Sequence, residues 1–206
     1  MSRPRNSAIA LAMTGASGAQ YGLRLLECLL LAGEEVALMI SQAGRIVINT
    51  ETPWSLPAHP REIRAALSER FAAEDGQLQV YGRDQWMAPI ASGSSAPRAM
   101  VVCPCTTATL SSVATGRSDT LITRAADVAI KEKRPLILVV RETPFSPIHL
   151  ENMLTLARAG ATIMPANPAF YHHPERVEDM VDFMVARILD HLEIDHALGP
   201  RWGDAG

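Results

Sequence analysis

Residues 8–22 read Ala-Ile-Ala-Leu-Ala-Met-Thr-Gly-Ala-Ser-Gly-Ala-Gln-Tyr-Gly. The first six are continuously apolar, the pattern of a strand covered on both faces. Gly15 and Gly18 then allow a tight reversal and close backbone approach. From Gly18 to Ala32 the apolar residues return at helical spacing, with Ser17 the expected N-cap and Gly33 the stop signal. Strand, glycine turn and helix in that order open a doubly wound α/β sheet.

Working outward, short apolar runs keep alternating with longer helical patterns. Strands are expected at 8–13, 36–40, 99–103, 136–140 and 162–164, and helices at 18–32, 43–50, 61–71, 106–115, 122–133, 147–159 and 174–192. Five parallel strands with crossover helices predict a flavodoxin-like, Rossmann-like sheet. One domain is expected over 1–206, ending in a tail from about residue 193, since no repeat or low-complexity linker interrupts the chain. The stretch 53–99, rich in Gly, Ser and Pro, reads as irregular excursions over the binding face.

Composition bounds the function. The 206 residues are 48% hydrophobic and 20% charged, ordinary globular usage that excludes a disordered chain. A net charge of −3, from 19 basic and 22 acidic side chains, argues against a nucleic-acid backbone as the main partner. No apolar run approaches the roughly 18 residues of a membrane span. The start, MSRPRNSAIALAM, imitates a signal peptide, but its apolar stretch is short and runs into the glycine turn. It reads as the first strand of a cytoplasmic protein. Cys28, Cys103 and Cys105 form neither a disulfide framework nor a zinc pattern, so reduced thiols are expected.

Ligands of such sheets bind outside the carboxyl ends of the strands. Those ends are Thr14–Ala19, Ser41, Pro104–Thr109, Arg141–Pro144 and Pro165–Pro168, nearly all small, hydroxylated or cationic. That make-up suits a phosphate and a flat ring. The first turn is neither G-x-G-x-x-G nor a Walker A loop, and Ser41 stands where an NAD site wants an acid. Ser17 at a helix start invites an anion, although a tight turn without ligand fits the same residues.

Other residues admit two readings. Thr106, Thr107, Thr109 and Ser111 could line a ligand or merely cap a helix. Cys105 lacks an evident histidine partner and reads as a buried thiol rather than a nucleophile. Arg124 and Lys131 share the helix face opposite Ile122, Ala126, Ala129 and Ile130, beside Asp127. They form a solvated face paired with Asp127, or else they serve a pocket that a neighbouring subunit completes. Arg187 falls about 20° outside the stripe of Val177, Met180, Val181, Met184, Val185, Ile188 and Leu192, where an arginine snorkels or reaches an anion. His172 and His173 splay apart and no carboxylate motif accompanies them, so no metal site is read.

The segments TGASGAQYG (14–22), ISQAGR (40–45), Glu51-Thr52, SGS (92–94), CPCTTATLS (103–111), LITRAADVAIKEKRPLILVVRETP (121–144) and MPANPAFYHHP (164–174) together resemble, in order, the flavin prenyltransferase family, long described as flavin-linked aromatic acid decarboxylases. The resemblance spans residues 8 to about 190. It implies a homo-oligomer, a dodecamer, with active sites where subunits meet. It also implies that reduced FMN receives a dimethylallyl group from dimethylallyl monophosphate at N5 and C6, giving prenylated FMN for a partner decarboxylase of ubiquinone synthesis or aromatic acid metabolism.

By the same resemblance, Gly15, Ala16, Ser17, Ser41, Thr106, Thr107, Ala108, Thr109 and Arg124 contact FMN. Ser92, Gly93, Lys131, Arg141, Glu142, Tyr171 and Arg187 contact the allylic phosphate, with Arg141 also within reach of the flavin. Trp86 and Trp202 supply aromatic walls, Ser17 and Glu51 manage flavin protons, and Glu142 and Tyr171 join the catalytic set. The implied roles make sense physically. Arg and Lys donors stabilise a departing phosphate, aromatic faces stabilise an allylic cation, and Glu142 either pairs with the cations or moves a proton. The rivals are an FMN-dependent cysteine decarboxylase of the same fold and a non-catalytic flavin-binding subunit. The P-x-M-N-x-x-M-W segment of the first is absent here.

Overall fold

The computed structural model describes residues 8–199. Its single sheet holds six parallel strands, β1 (Ile9–Met13), β2 (Val36–Ile40), β3 (Leu78–Tyr81), β4 (Ala99–Cys105), β5 (Leu136–Val140) and β6 (Thr162–Pro165), in the order β3-β2-β1-β4-β5-β6. Without β3 the remaining order is that of flavodoxin, as expected; with it the sheet takes the 3-2-1-4-5-6 order. The switch point falls between β1 and β4, which are paired from Ile9 opposite Ala99 to Ala12 opposite Val102.

Side chains alternate across the pleat and so divide the core in two. Ile9, Leu11 and Met13 of β1 pack in one layer with α1 (Ala19–Leu31), α3 (Pro60–Arg70) and α7 (Val177–His191). Ala10 and Ala12 face the other layer with α4 (Thr107–Ala114), α5 (Leu121–Lys131) and α6 (Pro147–Arg158). Alanines on both the sheet and α5 (Ala125, Ala126, Ala129) let that helix lie close. Each large side chain fully buried here, such as Leu11 or Leu38, contributes about 1.5–3 kcal/mol.

Three expectations need correction. The stretch 53–99 is not wholly irregular, since β3 runs inside it and pairs with β2 from Val36 opposite Leu78. It was hard to see because it is four residues long and half-exposed at a sheet edge, a run too short for its alternation to stand out. Its only bracket in sequence is Gly76 and Gly82. Ser17 is not the N-cap of α1. Gly18 is, with φ +104°, a left-handed conformation that glycine adopts without strain, and a Cβ there would also press on the Tyr21 ring. Val177, assigned to the apolar stripe of the last helix, is the first residue of α7 and is exposed, while Val181, Met184, Val185 and Ile188 are buried.

The strand ends are tied to one another. Thr14, buried just past β1, donates its hydroxyl to the Pro104 carbonyl (2.7 Å) and accepts from the Thr106 N–H (2.9 Å). A register shift in β4 between Val102 and Cys105 puts Cys103 in one core layer and Cys105 in the other. The Arg141 N–H donates to the Cys105 carbonyl (3.3 Å), which draws the end of β5 against that of β4.

Candidate active site

Four helices begin at the carboxyl edge around the switch point, and their N-termini have different fates. At α1 the Gly18 and Ala19 N–H groups both donate to Glu51 Oε2 (2.8 and 3.0 Å). Glu51 is the last residue of α2 (Gln42–Glu51), and the Ser17 hydroxyl bonds to the same carboxyl. Burial works against the charge on Glu51, but the hydrogen bonds from Ser17, Ala19 and Gly18, with the Arg141 cation nearby, outweigh it. They hold the carboxyl below the usual carboxylate range. The anion expected at this helix start is therefore the protein's own carboxylate.

The other three N-termini meet at one cavity of about 530 Å³. Ser41 caps α2 by accepting from the Gly44 N–H (2.9 Å), and Thr106 caps α4 by accepting from the Thr109 N–H (3.1 Å). Thr120 and Thr123 form a reciprocal capping box at the start of α5. The cavity is lined by Ser41, Gln42 and Ala43 from α2, Ala108, Thr109 and Ser112 from α4, and residues 120–123 from α5, with Tyr81, Gly82 and Arg83 from the end of β3. Three helix dipoles directed at one space, with hydroxyls between them, favour an anion there. The cavity charges are Arg83 and Asp119, the latter held by Arg117 at 2.7 Å.

Close packing keeps this rim narrow. A Cβ on Gly15 would collide with Ala43 of α2, so the turn after β1 can touch that helix only as glycine. Ala16 is buried behind it and Ser17 is exposed. Thr107 follows the Thr106 cap as the first residue of α4. Arg141 and Glu142 follow β5, and Arg141 Nε is closed off from solvent without a hydrogen-bond partner. Glu142 accepts from the Thr143 N–H (3.1 Å).

The remaining candidates form two further groups. Along α5, Arg124 donates to the Ala91 carbonyl (3.1 Å) and to Asp127 (2.7 Å). Lys131 pairs with Glu132 (2.5 Å) rather than with Asp127, which corrects part of the expected face. Gly93, beside Ser92, lies against Lys131 and Glu132, where a Cβ would overlap both side chains. The third group, Tyr171 and Arg187, lines a separate cavity of about 660 Å³ with His172, Phe183, Asp190 and His196. There His172 stacks on Phe183 at 5.3 Å, and Arg187 is exposed and pairs with Asp190 at 2.6 Å. Trp86 is 46% exposed beside Met87 at 97%, and Trp202 lies outside the described residues.

Cys105 is fully buried, and burial pushes its thiol up to about 12, as suits a packed thiol rather than a nucleophile. Sequence reasoning missed Thr14 as the tie between strand ends, and it missed Tyr81, Arg83 and Thr120 in the cavity. The first two cavity residues went unseen with β3. Thr120 was legible as a Thr-x-x-Thr start before an apolar run.

A doubly wound sheet with a small, hydroxyl-lined anion cavity at its switch point is the architecture of a mononucleotide-binding protein. The family described as Flavoprotein matches residues 2–189. The flavin prenyltransferase UbiX of Pseudomonas aeruginosa is 61% identical over 196 residues, which cover 95% of this chain and 94% of that protein. The crystal structure of AnUbiX (PadA1) in complex with FMN and dimethylallyl pyrophosphate superposes with a TM-score of 0.85 at 40% identity, covering 96% of this chain and 98% of that one. A dodecameric FMN-dependent UbiX-like decarboxylase from Escherichia coli O157:H7 gives a TM-score of 0.84 at 41% identity over 95% of this chain and 98% of that one. The chain belongs to the flavin prenyltransferase family.

Proposed function

We propose that this protein joins the dimethylallyl group of dimethylallyl monophosphate to N5 and C6 of reduced FMN, releasing phosphate and prenylated FMN. The observation that carries the reading is the cavity where α2, α4 and α5 all present N-termini, a seat for the one phosphate of a mononucleotide. Reduced flavin supplies the nucleophilic ring positions; everything else is the work of this chain's own groups.

Ser41, Thr106, Thr107, Ala108 and Thr109, at the starts of α2 and α4, would hold the flavin phosphate and side chain, and Gly15, Ala16 and Ser17 would add contacts from the turn after β1. Arg124 completes the phosphate contacts. Glu51, held ionised, is suited to accept a proton through Ser17 rather than to give one. Arg141 brings a buried unpartnered donor, an arrangement that an anionic ligand would satisfy. With Lys131, Arg187, Ser92, Gly93 and Tyr171 it receives the departing phosphate, whose charge grows as the C–O bond breaks. Glu142 stands among these cations as pairing or proton-moving carboxylate. Trp86 and Trp202 offer ring faces to the allylic cation.

Self-association belongs to the same reading. One chain spreads these residues over three groups and leaves Trp86, Met87, Phe170 and Tyr171 exposed, a pattern that subunit contacts would bring together and cover. The assembly is a homo-oligomer, a dodecamer, acting in the cytoplasm and passing its product to a partner decarboxylase. Among the described residues no helix is long and apolar enough to cross a membrane. Anaerobic incubation with reduced FMN and dimethylallyl monophosphate, followed by mass spectrometry, should give flavin heavier by one prenyl unit. Unmodified FMN after full incubation contradicts the reading. Light scattering tests the assembly, and a fully active monomer removes it.

A further inference from the structure

Arg124 leaves α5 at a point where its neighbours Thr123, Ala125 and Ala126 are buried, yet its side chain retains 34% of its surface. Two acceptors hold it. Nε donates to the Ala91 carbonyl (3.1 Å), in the 3-10 turn Pro89–Ala91, and Nη1 donates to Asp127 Oδ2 (2.7 Å), one turn further along the helix. A guanidinium carries five N–H donors in one plane. One donor on Nε and one on Nη1 are engaged, and no nitrogen of this partly exposed side chain is buried without a partner. Acceptors from two separate elements fix the plane of a side chain that otherwise samples many rotamers.

We infer that Asp127 is a positioning residue, which aims the outer N–H edge of Arg124 at a phosphate monoester, that of the flavin or that of the allylic substrate. The inference rests on the reading of Arg124 as a phosphate contact. The N–H groups left over lie in a plane fixed by the two acceptors, so charge-assisted hydrogen bonds to phosphate oxygens form in one set direction, which a flexible lysine ammonium does not provide. The helix itself does not depend on the pair. Its start is fixed by the Thr120–Thr123 box, and an i,i+3 ion pair with both side chains about a third exposed adds little to stability. Lys131, the other cation of this face, is engaged by Glu132 instead.

The test measures FMN affinity by fluorescence quenching on flavin-depleted protein, and the KM for dimethylallyl monophosphate, in Arg124→Ala, Asp127→Ala, Asp127→Asn and the double alanine variant. Arg124→Ala should weaken one of the two constants by at least about tenfold, and the constant that moves identifies which phosphate is held. Asp127→Ala should move that same constant by roughly three- to tenfold, with kcat and Tm unchanged, and should add nothing in the Arg124→Ala background. Asp127→Asn, which keeps the acceptor, should remain within about twofold of the parent. The inference is overturned if Asp127→Ala leaves both constants untouched, if asparagine rescues no better than alanine, or if the two alanine effects add. If Arg124→Ala moves neither constant, the assignment of Arg124 itself is wrong, an outcome distinct from the failures of Asp127.

Discussion

The N-terminus of α1 and those of α2, α4 and α5 start from the same ingredients, small or hydroxylated residues just past a strand or loop, and end as opposites. Glu51 fills the first with the chain's own negative charge. Ser41, Thr106 and Thr120 cap the others through a neutral oxygen each and leave the positive ends of the dipoles facing a shared cavity. A glycine turn after the first strand thus does not by itself leave a helix N-terminus open to an anionic ligand. What decides is whether a carboxylate elsewhere in the chain already reaches the helix start. On the proposed reading the occupied N-terminus serves proton transfer through Glu51, and the open ones serve an anionic ligand.

The sharpest way to break that contrast is to copy Glu51 into the open cavity. Ala108 is exposed on the first turn of α4 and lines the cavity, so Ala108→Glu places an anion there without disturbing the core. FMN affinity should fall on the order of a hundredfold, because like charges now share a confined site. Tm should hold or rise slightly, since a carboxylate suits a helix N-terminus. Titration by flavin fluorescence and thermal unfolding check the two halves.

The converse change empties the closed site. Glu51→Gln keeps the shape but loses the charge, and turnover should fall about tenfold or more through the missing proton acceptor. Stability should drop by up to about 2 kcal/mol, as for a partly buried carboxylate lost from a helix N-terminus. FMN binding should stay near the parental value, which separates this site from the cavity. A smaller effect appears with pH. The folded value for Glu51 lies below the ordinary value of about 4.3, so its stabilisation is present above that value and fades as the pH falls through the folded one. Denaturant midpoints followed into the acid range should decline less steeply in Glu51→Gln than in the parent.

Cys105 lies between the two regions and should matter least to chemistry. Its thiol is protonated at neutral pH and packed, so Cys105→Ala should keep turnover within about twofold while costing roughly 1 kcal/mol of stability. Loss of turnover without loss of flavin would show that the thiol reacts.

Continuous apolar runs made β1, β2, β4 and β5 legible in the sequence, because strands buried on both faces cannot hide their composition. β3 escaped because an edge strand of four residues, only Leu78 of them fully buried, carries little pattern, and Tyr81 and Arg83 of the cavity escaped with it. Capping chemistry was half legible. Thr106 could be read as a cap from its place before a helical run, whereas the Glu51 to α1 contact spans more than thirty residues and has no local signal. The resemblance implies one site for Lys131 and Tyr171, whereas within one chain Lys131 pairs with Glu132 and Tyr171 lines a separate cavity.

The phosphate seat proposed for the N-termini of α2, α4 and α5 is tested most directly by comparing FMN with riboflavin, since the two differ only in that phosphate. Titration of flavin-depleted protein should show FMN binding more tightly by at least about a hundredfold, the worth of several charge-assisted hydrogen bonds. Equal affinities for the two would mean that the helix N-termini hold nothing, and the seat would have to be sought elsewhere.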